Sequence, residues 1–132
     1  MVQKEVADRL VAKPRTKDYG RLSVLAQFLA RPRRLFDLPP RAFVPPPKVT
    51  STVIELLPLA EPAFPARLAD LERATQAAFG QRRKMLRQSL RTLGGDTEAL
   101  LTAAAITPTA RAEELTVAQF AALARALEKQ RS

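Results

Sequence analysis

Ala42-Phe43-Val44-Pro45-Pro46-Pro47-Lys48-Val49-Thr50-Ser51-Thr52-Val53-Ile54-Glu55-Leu56-Leu57 decides how this chain is read. Proline fixes φ and biases the residue before it toward extended geometry. Val44 through Pro46 are therefore expected to be extended, with Phe43 on a stiff support at a sheet edge. Val49, Thr50, Thr52, Val53 and Ile54 are β-branched, which predicts a strand over 49–57. Local sequence leaves three readings of the Phe43 ring. It packs as core beneath its loop, it serves as part of a polyproline-type ligand for an aromatic groove, or it offers a flat surface on which a nucleobase stacks.

Upstream of this stretch, Val6, Leu10 and Val11 share one face of a predicted helix over 4–12. A basic loop follows, with Lys13, Arg15 and Lys17 around Pro14, ending at Tyr19-Gly20. Leu22, Leu25, Ala26 and Leu29 predict a second helix over 21–30, closed by Pro32. Leu35 to Leu38 reads as a short strand. Pro58, Pro62 and Pro65 interrupt a stretch with neither helical nor strand periodicity, which marks a domain boundary.

Beyond residue 66 the pattern is helical. Leu68, Leu71, Ala74, Thr75 and Ala78 form one stripe, and Gly80 suits a helix end. Leu86, Leu90 and Leu93 form the next, closed by Gly94-Gly95. Asp96 or Thr97 can cap a short helix through Ala105, and Pro108 marks a turn. Thr116 with Gln119 makes a capping box before a last helix carrying Phe120, Leu123, Ala124 and Leu127. The expected class is a mostly helical chain: an α/β segment over 1–58, a proline-rich joint over 59–66, and a small all-α domain over 67–132. Two candidate strands cannot make a covered parallel sheet, so the α/β segment reads as the end of something larger.

Charge narrows the partners. Lys and Arg number 22 against 13 acids, a formal charge of +9, which favours nucleic acid or another anionic surface. With no Cys and no His, thiol chemistry, a zinc site of the usual ligands and His-based proton transfer fall away. No apolar run is long enough to span a bilayer, and Met1-Val2-Gln3-Lys4-Glu5 does not open a signal peptide, so a cytoplasmic location is expected. Arg82, Arg83, Lys84, Arg87 and Arg91 fall within eleven residues that hold no acid. On one continuous helix Arg83, Arg87 and Arg91 would stack at successive turns, opposite Leu86, Leu90 and Leu93. Such a stripe either contacts RNA or DNA phosphates or is a solvated helix face.

Several segments carry a resemblance. Phe43-Val44-Pro45-Pro46-Pro47-Lys48-Val49-Thr50-Ser51 resembles the F-x-P-x-P-K-V-x-S segment of the ribosomal RNA adenine dimethyltransferases. Gln3-Lys4-Glu5-Val6-Ala7 with Arg9-Leu10, and Tyr19-Gly20-Arg21-Leu22-Ser23-Val24, resemble that family's Q-K-E-V-A-x-R-L and Y-G-R-L-S-V. Phe79-Gly80-Gln81-Arg82-Arg83-Lys84, then Leu86-Arg87 and Ser89-Leu90, resembles its F-x-Q-R-R-K-x-L-R-x-S-L. Arg111-Ala112-Glu113, then Leu115-Thr116 and Gln119-Phe120, resembles R-A-E-x-L-S/T-x-x-Q-F.

The resemblance implies S-adenosylmethionine-dependent dimethylation of adjacent adenines in small-subunit ribosomal RNA, by a protein expected to act as a monomer on a pre-ribosomal particle. It implies that Phe43 stacks on the target adenine, and that Arg82, Arg83, Lys84, Arg87, Arg91 and Lys48 contact RNA. The family's glycine-rich cofactor turn and its N-L-P-Y motif have no counterpart: the glycines are Gly20, Gly80, Gly94 and Gly95, and there is no Asn. The expectation is therefore a piece resembling only the C-terminal half of the family, the last strands and helices of a Rossmann-like methyltransferase domain and then a helical RNA-docking domain. Alone it is expected to bind RNA without binding S-adenosylmethionine or catalysing transfer, and to hold no metal. Two alternatives stand beside this: a non-catalytic ribosome-assembly module, and a relative that methylates large-subunit RNA.

Overall fold

The computed structural model describes residues 1–131. Three strands form one sheet in the order β1-β3-β2: β1 Val2–Gln3, β2 Ala30–Leu38 and β3 Ser51–Pro58. Both pairings are antiparallel. Gln3 and Val2 face Ser51 and Thr52, while β2 runs along β3 from Ala30 opposite Pro58 to Leu38 opposite Ser51. The predicted strand after the proline run is thus the centre of the sheet. Pro32, expected to end a helix, lies inside β2 opposite Leu56. It is tolerated because β2 is an edge strand, where an absent N–H need not interrupt a ladder.

Helices α1 Lys4–Val11 and α2 Arg21–Leu29 form where helices were expected. The loop between them is pinned at α2, where Ser23 Oγ accepts from the Gly20 N–H at 3.1 Å and donates to the Arg9 carbonyl. Gln27 Nε2 donates to the carbonyls of Leu10 and Ala12 at 3.0 and 2.8 Å, closing the end of α1. Four further helices complete the chain: α3 Leu68–Gly80, α4 Leu86–Ser89, α5 Thr97–Ala103 and α6 Val117–Arg131. Asp96 caps α5 by accepting from the Ala99 N–H at 3.1 Å. The Thr116–Gln119 capping box forms in both directions, at 3.1 and 2.8 Å.

Tyr19, Val24 and Phe28 belong to the same buried cluster as Leu71, Leu86, Leu101, Phe120 and Leu127. The helix α2 packs against α3 and α6 as well as against β2. This corrects the expected class. An α/β tail followed by a separate all-α domain would hold two cores, whereas one cluster joins α2 to the downstream helices. The reason is visible in α2: Leu22 and Leu29 are exposed, while Val24 and Phe28 are fully buried. The sequence stripe chosen for α2 therefore points partly to solvent, and the face that packs is the one rotated from it.

Candidate nucleic-acid interface

The residues predicted to bear function fall on two parts of the fold. Phe43 lies in the loop joining β2 to β3. A 3-10 turn over Pro40–Ala42 precedes it, and the Phe43 N–H donates to the Pro40 carbonyl at 3.2 Å. Phe43 itself is extended, at φ −117° and ψ 156°. Its side chain is half-buried, outside the hydrophobic core and without an aromatic partner among the described residues. The next residue, Val44, is fully exposed, and the Val44–Pro45 peptide is cis. Lys48 is exposed on the returning arm of the loop.

The loop returns beside the amino end of α1. The Lys4 N–H donates to the Thr50 carbonyl at 3.0 Å. Gln3, Lys4, Glu5, Asp8, Val49 and Thr50 line a cleft of about 400 Å³ there. At the neck of the loop, Thr52 Oγ1 donates to Asp37 Oδ1 at 2.7 Å, and Arg34 reaches the same carboxylate at 3.2 Å while also pairing with Asp8. The Thr52 hydroxyl, then Arg34, hold the Asp37 carboxyl below the usual carboxylate range.

The second part is the basic segment. Arg82, Arg83, Lys84, Arg87 and Arg91 do not share one helix. Residues 81–84 form a turn, α4 spans only Leu86–Ser89, and Leu90–Leu93 is a 3-10 segment. The continuous stripe expected from periodicity is corrected for a definite reason. Met85 bridges to Arg111, and the Leu86 and Arg87 N–H groups donate to the Ala110 and Pro108 carbonyls at 2.8 and 3.2 Å. The first donors of α4 are thus taken by another segment, which stops the helix from extending backward.

These cations also differ in their partners. Arg82 is half-buried: Nε donates to Glu113 at 3.2 Å, a second nitrogen donates to the Lys17 carbonyl at 3.4 Å, and the guanidinium lies 5.9 Å from the Phe79 ring centre. Arg83, Lys84, Arg87 and Arg91 are exposed and form no ion pair among the described residues.

Arg82 also opens onto the basic loop. With Arg15, Thr16, Lys17, Arg111, Glu113 and Glu114 it lines a cleft of about 540 Å³. Glu114 pairs with Arg15 at 3.4 Å and its Oε1 accepts from the Arg111 N–H at 2.9 Å. Lys17 and the Arg111 guanidinium have no ion-pair partner among the described residues. Counting charges, four cations face two carboxylates. Arg15 and Lys17 were legible as a basic loop, but their meeting with Arg82 was not, because 65 residues separate Lys17 from Arg82. The R-A-E segment was the available signal, since Glu113 is the residue that holds Arg82.

The fold defines a class first: a small Rossmann-like methyltransferase unit built on a three-stranded sheet. It superposes on the dimethyladenosine transferase from Plasmodium falciparum with a TM-score of 0.80, at 19% identity, over 97% of this chain and 55% of that one. The match runs through sheet and helices together, and with it the placement of this chain as a C-terminal half, with a domain of its own after the joint, is set aside. The 23S rRNA methyltransferase ErmE matches with a TM-score of 0.59 and 27% identity, over 96% of this chain and 52% of that one.

The family model for ribosomal RNA adenine dimethylase matches residues 1–129, and the chain belongs to that family. Ribosomal RNA small subunit methyltransferase A of Rhodospirillum rubrum is 62% identical over 128 residues, 97% of this chain. The protein of the same name from Azorhizobium caulinodans is 61% identical over 131 residues. The chain spans 44% and 45% of the length of these two relatives.

Proposed function

We propose that this chain forms the part of a small-subunit ribosomal RNA adenine dimethyltransferase that grips the RNA and steadies the target adenine. The observation that carries the reading is Phe43: an aromatic side chain outside the core, next to a fully exposed residue, on a loop stiffened by three prolines. An exocyclic amine inside a stacked helix cannot reach a methyl donor, so the base must leave the stack. A ring held on rigid backbone then fixes the plane of the extruded base, which stabilises it by about 1–3 kcal/mol. Arg83, Lys84, Arg87, Arg91 and Lys48 bind phosphates, which gives affinity without sequence information. Arg82 is assigned a different part: it ties the basic loop to the helices and contributes its field to the cleft.

The methyl donor of this family is S-adenosylmethionine. The sequence holds no G-x-G turn of the kind that cradles a nucleotide. This chain's own residues orient the base and hold the phosphates. The small-subunit RNA of a bacterial pre-ribosome is the preferred substrate, following the name borne by the relatives of highest identity quoted above.

The test uses a protein of the relatives' length carrying this segment. Phe43→Ala is expected to lower methylation by about ten- to a hundredfold, as loss of one ring–base stack does, with little change in RNA affinity. Equal loss of both would make Phe43 a packing residue and overturn the reading.

A further inference from the structure

The strand β2 has one residue too many for its partner. Arg34 faces Ile54 and Phe36 faces Val53, so Leu35 is a bulge. In a regular strand, residues three apart point to opposite faces. The bulge changes this: Arg34 and Asp37 lie on one face, with Ile54 and Thr52 as their cross-strand partners on the same side of β3. That side meets α1, and the Arg34 guanidinium joins Asp8 of α1 to Asp37 of β2. Thr52 is fully buried, and its hydroxyl donates to Asp37 at 2.7 Å. Thr52 also pairs with Val2, so all three strands and α1 meet at this point.

We infer that Arg34, Asp37 and Thr52 are positioning residues: they lock the neck of the 39–50 loop to α1 and thereby fix where Phe43 is presented. The inference rests on the proposed role of Phe43 for its functional meaning, but not for its physical content. Only three residues, Phe36, Asp37 and Leu38, separate the bulge from the loop. A rotation of the neck therefore passes directly into the loop, because the prolines leave few backbone torsions to absorb it. The Thr52 hydroxyl has no other hydrogen-bond partner among the described residues, so losing Asp37 orphans a buried donor.

The experiment is limited trypsin digestion of the whole chain. Arg41 and Lys48 lie within the loop, and Arg83 and Lys84 in the exposed turn serve as internal reference sites. Asp37→Ala is expected to raise cleavage at Arg41 and Lys48 by about tenfold relative to the reference sites, as loss of one part-buried hydrogen bond shifts a local opening equilibrium. Adding Thr52→Val removes the orphaned hydroxyl; it should recover thermal stability while loop cleavage stays fast. Arg34→Met should speed loop cleavage in the same way. Parallel acceleration at all four sites, or unchanged cleavage in the loop, would overturn the inference. These readouts need no RNA, so they stand or fall separately from the stacking role of Phe43.

Discussion

The Tyr19 hydroxyl donates a 2.6 Å hydrogen bond to the Leu115 carbonyl, 96 residues away in sequence. The ring is fully buried and meets Phe79 edge-on at 6.1 Å. Phe79 in turn lies 5.5 Å from Phe120 and carries the Arg82 guanidinium on its face. Through this contact the basic loop, α3, α6 and the segment before α6 are fixed as one body.

Tyr19→Phe keeps the ring and orphans the carbonyl, so it should destabilise the chain by about 1–2 kcal/mol in urea unfolding. Burial pushes the Tyr19 phenol well above its ordinary value of 10.0. The stability this represents is complete below pH 10 and is lost as pH rises beyond it. Tyr19 is the only tyrosine, so tyrosinate absorbance followed through alkaline unfolding reports this group alone. Absorbance should rise together with unfolding; ionisation well before it would contradict the burial argument.

At the acid end Asp37 has the opposite sign. Its carboxyl titrates below the ordinary 3.8 because Thr52 and Arg34 favour the anion. Its contribution is present above that value and is lost as pH falls through the lowered one. Asp37→Asn should flatten the acid limb of a melting-temperature profile relative to the unmodified chain. An unchanged limb would remove Asp37 from the groups that govern acid unfolding.

The cations should separate by kind. Arg82→Ala, which breaks a half-buried pair and a ring contact, should lower stability by about 0.5–1 kcal/mol. Arg83→Ala with Arg87→Ala should leave melting unchanged and weaken RNA binding, flattening the salt dependence of log Kd by about one for each lost phosphate contact. Filter binding across a salt series measures this, and a slope equal to that of the unmodified chain would take both residues off the interface.

Phe28 is in α2 but its ring is in the common core. Phe28→Ala should cost about 3–5 kcal/mol. Amide protection in α6 should fall with it, because one cluster serves both parts. If α6 kept its protection, the downstream helices would be stable without α2.

Legibility followed contact range. Helices α3, α5 and α6, the Asp96 cap and the Thr116–Gln119 box depend on neighbours three or four residues away, and these could be read. The strand β1 has two residues and exists only through its pairing with Ser51 and Thr52, so periodicity could not reveal it. The strand β2 begins inside a helical pattern and contains Pro32; its edge position makes that sequence workable, and no local rule discloses an edge. Arg82 looked like its basic neighbours until Glu113, 31 residues on, supplied the missing acid. The other cations kept their exposure, but the arrangement of the stripe depended on where residues 108–111 offered their carbonyls.

The exposed turn at Val44 has a thermodynamic corollary. A backbone already restricted by three prolines surrenders little conformational freedom when an RNA base arrives against Phe43. Loosening that backbone would leave every contact available, yet make each one harder to form. Calorimetry would register such a change as an entropic penalty with binding enthalpy nearly intact, which separates the rigidity of the support from the chemistry of the ring.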